Sequence, residues 1–484
     1  MDDYTPTQRR LVLIAAICAS SMGFIDGSVV SIVTPAIRSA LGASLPEAQW
    51  VTDGYLLTLS SLLLIAGAAG DRYGLRRVFA GGIVLFVIAS MVCAAAPSPA
   101  FLIGARVVQG LGAAFMVPGS LAIIAAAYPE EQRGGAIGIW AAASSLTTLL
   151  GPVLGGALLS LAGDASWRFV FVLNLPLGAI ALLLLRAAPA IAPSAARPLD
   201  ILGAVLATLA LLLISGALIE AASPLFVVAL VAGFAVAAIF LFVEARSSSP
   251  MLPLNLFVDP RFSAAQAATF LIYFGLSAVT FYLPTLLIAG WRVSPAEVAI
   301  AMLPLGIVLT ILSGPAGRLV DRTGPEPVLI AGALVVALAF AALGFAVRSH
   351  SLWFAVLPLM VLFGVGMSAI AGPISTAVMA AAPRGTTGTA SAINNAVARV
   401  AGLLAISLMG TVGALVYTQI AGPAVTATFG AEIGTNAISP DADVTRMLAS
   451  DFAFAAIAWT SAALSLVAAL IIWLALRRRK RTSP

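Results

Sequence analysis

Asp26 stands in an apolar stretch running from about residue 11 to 37, and Arg106 in another from about 100 to 128. If both stretches are helices crossing a lipid bilayer, each charge lies at a depth where ionised groups are costly and mark function by default. At 1.5 Å per residue Asp26 sits about 22 Å along the first span, and Arg106 about 9 Å into the fourth, counted from the outside. Both therefore fall in the outer half, at similar depth and with opposite sign. One reading is a static buried ion pair. The other is a proton site: burial favours the neutral acid, the guanidinium favours the anion, and the carboxyl takes or releases a proton as its access changes.

Other polar residues fall in apolar stretches. Asp53, about one turn inside the outer end of the second span, is a second proton or cation site or a solvated residue at the mouth. Arg399 lies about 15 Å into the thirteenth span, with Asn395 one turn away on the same face. An Arg near the midplane is expected to face a cavity or a partner carbonyl, or to be structural. Gln109, Met116, Gln266, Tyr273 and Tyr282 are candidate cavity liners, against the simpler reading of packing. His350 is the one histidine, and Cys18 and Cys93 both fall in apolar runs. That leaves no metal cluster, no disulfide framework and no histidine-based catalytic set. No nucleophile–base set or cofactor loop stands out, so the chain reads as a protein without a cofactor and not as an enzyme.

The elements that position these residues follow from composition. Of 484 residues 61% are hydrophobic and 9% charged, against roughly 25% charged in soluble proteins. A bilayer is the matching solvent. Apolar runs lie at about 11–37, 48–69, 78–96, 100–128, 134–162, 168–185, 201–219, 222–243, 262–290, 298–317, 328–347, 351–383, 385–420 and 452–476. They are continuously apolar, which excludes the alternation of a β-barrel. About 20 apolar residues span the hydrocarbon core, so the fold class is an all-α polytopic membrane protein of fourteen spans. The first run is too long for a signal-peptide core and is expected to remain as a helix. With the N-terminus in the cytoplasm, most basic residues fall inside, among them Arg72, Arg76, Arg77, Arg197, Arg318, Arg322, Arg384 and the tail Arg477–Arg481. Both termini are then cytoplasmic, and the 424–450 segment is outside. Ser44-Leu45-Pro46-Glu47 and Ser294-Pro295-Ala296-Glu297 read as capping boxes, which makes Glu47 and Glu297 caps.

An internal repeat divides the chain. Gly67-x-x-x-Asp71-Arg72-x-Gly74 recurs 250 residues later as Gly317-x-x-x-Asp321-Arg322-x-Gly324. The copies follow spans two and ten, so two six-helix bundles related as parallel repeats must have two extra helices between them. The expected division is 1–190 for the first bundle, 199–246 for the two-helix insert and 255–484 for the second bundle. Gly67 and Gly74 are expected to form a tight hairpin. Asp71 is expected to accept hydrogen bonds from helix N-termini of the opposite bundle and hold an inner gate shut.

Several stretches resemble the major facilitator superfamily, in particular its fourteen-helix drug:proton antiporter branch. Gly67-Ala-Ala-Gly-Asp71-Arg72-Tyr-Gly74-Leu-Arg76-Arg77 resembles the superfamily's loop signature, and Arg106-Val-Val-Gln109-Gly110-Leu-Gly112 its fourth-helix motif. Gly151-Pro152-Val-Leu-Gly155-Gly156 resembles the fifth-helix motif associated with antiporters. Ile25-Asp26 through Pro35 resembles the branch's first-helix motif, and Trp167-Arg168 through Asn174-Leu-Pro176-Leu-Gly178 the start of its sixth helix. Asn394-Asn395-Ala-Val-Ala-Arg399 extends the match into the second half. Ser31 and Thr34 stand where the family usually has Asn and Ala, and Glu326-Pro327 replaces the paired arginines in the second loop copy.

The resemblance implies a proton-motive-force-driven antiporter of the bacterial cytoplasmic membrane, with Asp26 and Arg106 in coupling. Its partners would be a small amphipathic or cationic organic substrate, protons and the bilayer, with no nucleic acid, and it would act as a monomer. Three other readings stand beside it: an exporter of an endogenous lipid, siderophore or antibiotic, a passive facilitator, and a membrane sensor that transports nothing.

Overall fold

The computed structural model describes residues 4–186, 198–383, 386–422, 425, 428–430 and 439–482. Arg197, Arg384 and much of the 424–450 segment lie outside the described residues, as do the side chains of the basic tail. Among the described residues every regular element is helical. The helices are α1 (Pro6–Leu41), α2 (Leu45–Tyr73), α3 (Leu75–Ala94), α4 (Pro99–Ala127), α5 (Glu130–Ala162), α6 (Trp167–Val172), α7 (Asn174–Leu185), α8 (Ile201–Ile219) and α9 (Phe226–Arg246). They continue as α10 (Pro260–Thr285), α11 (Pro295–Thr323), α12 (Pro325–Ala346), α13 (Leu357–Ala381), α14 (Thr387–Ala421) and α15 (Pro440–Thr482). Helices α6 and α7 together make one span, so among the described residues 14 helical segments are long and apolar enough to cross a membrane.

Local sequence explains the helix starts. Ser44 Oγ accepts from Glu47 N (3.3 Å) while Glu47 Oε2 accepts from Ser44 N (2.8 Å), and Ser294 and Glu297 form the same box. Glu47 and Glu297 are thus caps. Ser98 caps α4 ahead of Pro99, and Asp259 caps α10 ahead of Pro260.

The two repeat loops are tighter than a hairpin built on two glycines. Helix α2 runs to Tyr73 and α3 begins at Leu75; α11 runs to Thr323 and α12 begins at Pro325. Gly74 (φ 94°) and Gly324 (φ 81°) alone make the turns, in a region that costs other residues. Gly67 and Gly317 are helical with open space beside them, which corrects their expected place in the turn.

The chain divides into two compact units. The first holds Met1–Val30 and Trp50–Pro253. Within it α3 packs on α4, and α8 and α9 pack on each other. Glycines set these crossings: a Cβ on Gly112 would meet the Phe86 backbone nitrogen of α3 at 2.6 Å, and one on Gly110 would strike Thr58 and the Tyr55 carbonyl of α2.

The second unit holds Ser31–Gln49 and Leu254–Pro484. Here α12 packs on α13 and α15, α10 on α14 and α15, and α11 on α13. Arg38 Nη1 donates to the Phe429 carbonyl at 2.9 Å. Gln49 Nε2 donates to the Ile406 carbonyl at 2.8 Å and to the Tyr282 hydroxyl at 3.2 Å. Helix α15 starts at Pro440, well before the expected span at 452, with Asp441 and Asp443 in its first turn where the helix dipole favours acids. Arg446 is buried and donates to the Ala289 and Gly290 carbonyls (2.7 and 3.0 Å), which lie at the C-terminal end of a π-helical turn, Leu286–Gly290, where a helix leaves its last carbonyls without in-helix donors. His350 Nε2 lies 2.6 Å from Asp451 Oδ2, and Trp291 Nε1 donates to Asp451 Oδ1 at 2.8 Å.

Candidate functional site: a buried carboxylate–guanidinium–amide cluster

Asp26 of α1 and Arg106 of α4 are each 1% exposed, and Arg106 Nη1 lies 2.5 Å from Asp26 Oδ2. Gln109, one turn after Arg106, joins both: its Oε1 accepts from Arg106 Nη1 at 2.6 Å and its Nε2 donates to Asp26 Oδ1 at 3.0 Å. An arginine has only donors and an ionised carboxylate only acceptors, so the amide fits in one orientation. Gln109 Nε2 also donates to Ser90 Oγ of α3 (2.7 Å), which accepts a second bond from Asn174 Nδ2 of α7 (2.9 Å). Cys93, one turn from Ser90, sets its thiol 3.7 Å from Gln109 Oε1.

Arg106 does not depend on Asp26 alone. Its Nε donates to the Val51 carbonyl of α2 at 2.9 Å. Its guanidinium stands 4.4 Å from the Tyr55 ring and 5.7 Å from the Phe171 ring, within range of cation–π attraction. When Asp26 is ionised the pair is neutral as a whole, and both carboxylate oxygens accept hydrogen bonds. A proton on Asp26 removes the charge-assisted part of the contact and leaves Arg106 a buried cation held by a carbonyl, an amide oxygen and two ring faces.

The fifth-helix motif borders this cluster. A Cβ on Gly151 would collide with Ser28 Oγ and come 3.1 Å from the Ile25 carbonyl, so the glycine lets α5 lie against α1 at the level of Asp26. Gly155 and Gly156 are buried one turn on, with Pro152 half-buried between. Trp140 of the same helix donates to Ser20 Oγ of α1 at 2.9 Å.

Other expected site residues are placed differently. Asp53 is fully buried in α2, which excludes a solvated mouth. Met116 is fully buried and packs beside Gly23 and Gly82 in the first unit, and Tyr282 is fully buried with its hydroxyl 2.5 Å from the Ile406 carbonyl. Both side chains are packed against their neighbours here. Gln266 is buried with neither amide atom hydrogen-bonded. Arg399 and Tyr273 are half-buried and within electrostatic reach of each other. Asn395 is exposed and donates to its own helix at Ser391; it is Asn394 that turns inward and accepts from Thr269 Oγ1 of α10 at 2.8 Å. Asp71, Arg72 and Arg77 are exposed, and Arg76 reaches the Arg186 carbonyl at 3.5 Å. Asp321 and Arg322 are exposed. Ser90 belongs to no motif and sequence reasoning misses it, although a serine one turn before Cys93 in an apolar run is a visible polar stripe.

Fourteen spans with an ion pair and its amide bridge buried among the first ones define a multi-pass membrane protein with a charged intramembrane centre. The profile of the Major Facilitator Superfamily matches residues 15–406, and the chain belongs to that family. It is 33% identical over 418 residues to the methylenomycin A resistance protein of Bacillus subtilis (strain 168), covering 85% of this chain and 89% of that protein. It is 32% identical to the tetracenomycin C resistance and export protein of Streptomyces glaucescens, over 82% of this chain and 74% of that one. Among solved structures, a bacterial homologue of the human lysosomal transporter Spinster superposes with a TM-score of 0.72 at 19% identity, covering 97% of this chain and 99% of that one.

Proposed function

We propose that this chain is a proton-coupled antiporter that exports small amphipathic or cationic organic compounds by alternating access, across the cytoplasmic membrane of a bacterium. The supporting observation is the buried Asp26–Arg106 pair bridged by Gln109. A passive facilitator has no need of a titratable group there, and hydrocarbon makes one costly to keep. Relatives named for resistance to methylenomycin A and tetracenomycin C support efflux as the direction, and favour natural-product antibiotics among the substrates.

In this reading Asp26 takes a proton when open to the outside, Arg106 moves onto its remaining partners, and release of the proton inside restores the pair. Both termini are cytoplasmic and the protein works as a monomer driven by the proton motive force. The chain is organised as a first bundle, 1–190, a two-helix insert, 199–246, and a second bundle, 255–484. The exposed charges Asp71, Arg72, Asp321 and Arg322 bias the conformational equilibrium rather than the substrate site.

The test is reconstituted protein with an imposed pH gradient and a fluorescent cationic substrate. Wild type accumulates substrate against its gradient, whereas Asp26→Asn does not, although it still binds and exchanges substrate downhill. Full gradient-driven transport by Asp26→Asn moves the proton site elsewhere. A wild type indifferent to the gradient makes the protein a facilitator.

A further inference from the structure

The two-helix insert carries a pair of carboxyl groups that the proton pathway does not use. Asp200 caps α8, and Glu244 ends α9 with only 2% of its surface exposed. Three of their four oxygens are met by backbone donors. Asp200 Oδ1 accepts from Gly203 N at 2.8 Å, Asp200 Oδ2 from Met251 N at 3.3 Å and Glu244 Oε2 from Leu252 N at 2.9 Å. The fourth, Glu244 Oε1, is buried without a hydrogen-bond partner. It faces the same small space as Asp200 Oδ2: a Cβ on Gly203 would collide with Glu244 Oε1 and lie 2.7 Å from Asp200 Oδ2.

Two ionised carboxylates turned toward one buried space repel each other, and a buried oxygen with no donor costs more than a satisfied one. One proton removes both penalties, since Glu244 Oε1–H can donate to Asp200 Oδ2. The backbone donors already fill the other three oxygens, which leaves a proton, rather than a metal ion with its several oxygen ligands, as the fitting occupant. We propose that Asp200 and Glu244 share one proton, and that this proton closes a clasp joining the start of α8, the end of α9 and the 247–253 segment. The segment contributes no charge of its own, being Ser247-Ser-Ser-Pro-Met-Leu-Pro253, and Arg246 stacks its guanidinium 3.7 Å from the Phe242 ring. Asp200 is thus the charged group that faces Glu244. The closed form holds a proton that the open, hydrated form gives up, so closure weakens as pH rises.

The test uses purified full-length protein in lipid nanodiscs, with Cys18→Ala, Cys93→Ala and a reporter Ser249→Cys. The reporter's labelling rate is measured against pH with Glu244 native and with Glu244→Gln, whose amide donates to Asp200 at every pH. The ratio of the two rates cancels the thiol's own titration. The ratio is near one at acidic pH and rises roughly tenfold at alkaline pH, as a one-unit difference in proton affinity between the forms allows. The infrared absorption of protonated carboxyls falls in Glu244→Gln relative to the native protein at the same pH. Should that variant not accumulate, Asp200→Asn keeps the helix cap and is likewise insensitive to pH. A ratio that stays flat overturns the proposal. So does a ratio that responds to sodium or magnesium at constant pH, which assigns the pair to a cation instead.

Discussion

Arg106 Nη1 touches Asp26 Oδ2 at 2.5 Å and Gln109 Oε1 at 2.6 Å, so one nitrogen serves both the carboxylate and the amide that bridges back to it. Lysine supplies the charge but not the planar fork that reaches Val51, Asp26 and Gln109 together. Arg106→Lys is expected to retain part of the gradient-driven transport. Arg106→Ala leaves a buried carboxylate without its cation, a loss of about 3–5 kcal/mol where a buried pair is broken, and is expected to abolish coupling. Initial rates in proteoliposomes under an imposed pH gradient rank the two; wild-type activity of Arg106→Ala would remove Arg106 from coupling.

Gln109 gives Asp26 its second donor, and that donor stabilises the anion over the neutral acid. Gln109→Leu removes a hydrogen bond to a charged group, worth about 1.5–3 kcal/mol. It also takes the amide oxygen from Arg106 Nη1. Gradient-driven transport in proteoliposomes is therefore expected to fall while substrate binding persists. Wild-type transport by this variant would show that Gln109 only packs.

Much of this architecture is legible in the sequence, for a definite reason. A lipid-facing chain has few ways to satisfy its backbone, so continuous apolar runs must be helices and their number can be read off. Depth follows from rise per residue, so counting along the two spans is enough to bring Asp26 and Arg106 to the same level. Rotation about the helix axis does not follow. Whether Asn394 or Asn395 faces inward is a matter of about 100° of turn, and it is settled by how α14 lies on α10, where Thr269 meets Asn394. The same holds for Asn174, readable as part of a motif yet not as a partner of Ser90. The Glu244 clasp is invisible because one of its partners is the backbone of a proline-rich linker.

Gly151 allows α5 and α1 to touch beside Asp26. Gly151→Ala forces a methyl group into Ser28 and is expected to destabilise the protein by about 1–3 kcal/mol, as overpacking does. Gly151→Ala with Ser28→Gly opens the space again and is expected to recover much of the loss. Thermal unfolding in detergent, followed by intrinsic fluorescence, measures both. Unchanged stability of the single variant would mean that α5 does not lie against α1 as described.

Arg446 holds the carbonyls of Ala289 and Gly290 and pairs with Asp443, whose carboxylate also meets Arg292 at 2.9 Å. Arg446→Met fills a similar volume but leaves two buried acceptors unmet. The expected cost is roughly 2–4 kcal/mol, with Arg446→Lys intermediate because one ammonium cannot span both carbonyls as the fork does. Protease resistance near the π-helical turn should fall in the same order. A methionine variant as resistant as wild type would show that the carbonyls find other donors.

The orientation in the membrane rests on the asymmetry of basic residues and is open to direct test. Arg76 follows the turn at Gly74, and Ser439 is exposed just ahead of α15, which lies an odd number of spans further along the chain. The two positions must therefore face opposite sides of the membrane if fourteen spans are correct. With the arginine-rich loops inside, a cysteine at Ser439 is expected to react with an impermeant maleimide in whole cells, and a cysteine at Arg76 only after lysis. The reverse pattern would invert the topology and turn Asp26 toward the inner half of the membrane, where an outside proton could not reach it first. Labelling of both positions from outside would break the span count itself, and with it the equal depth of Asp26 and Arg106 from which their pairing is expected.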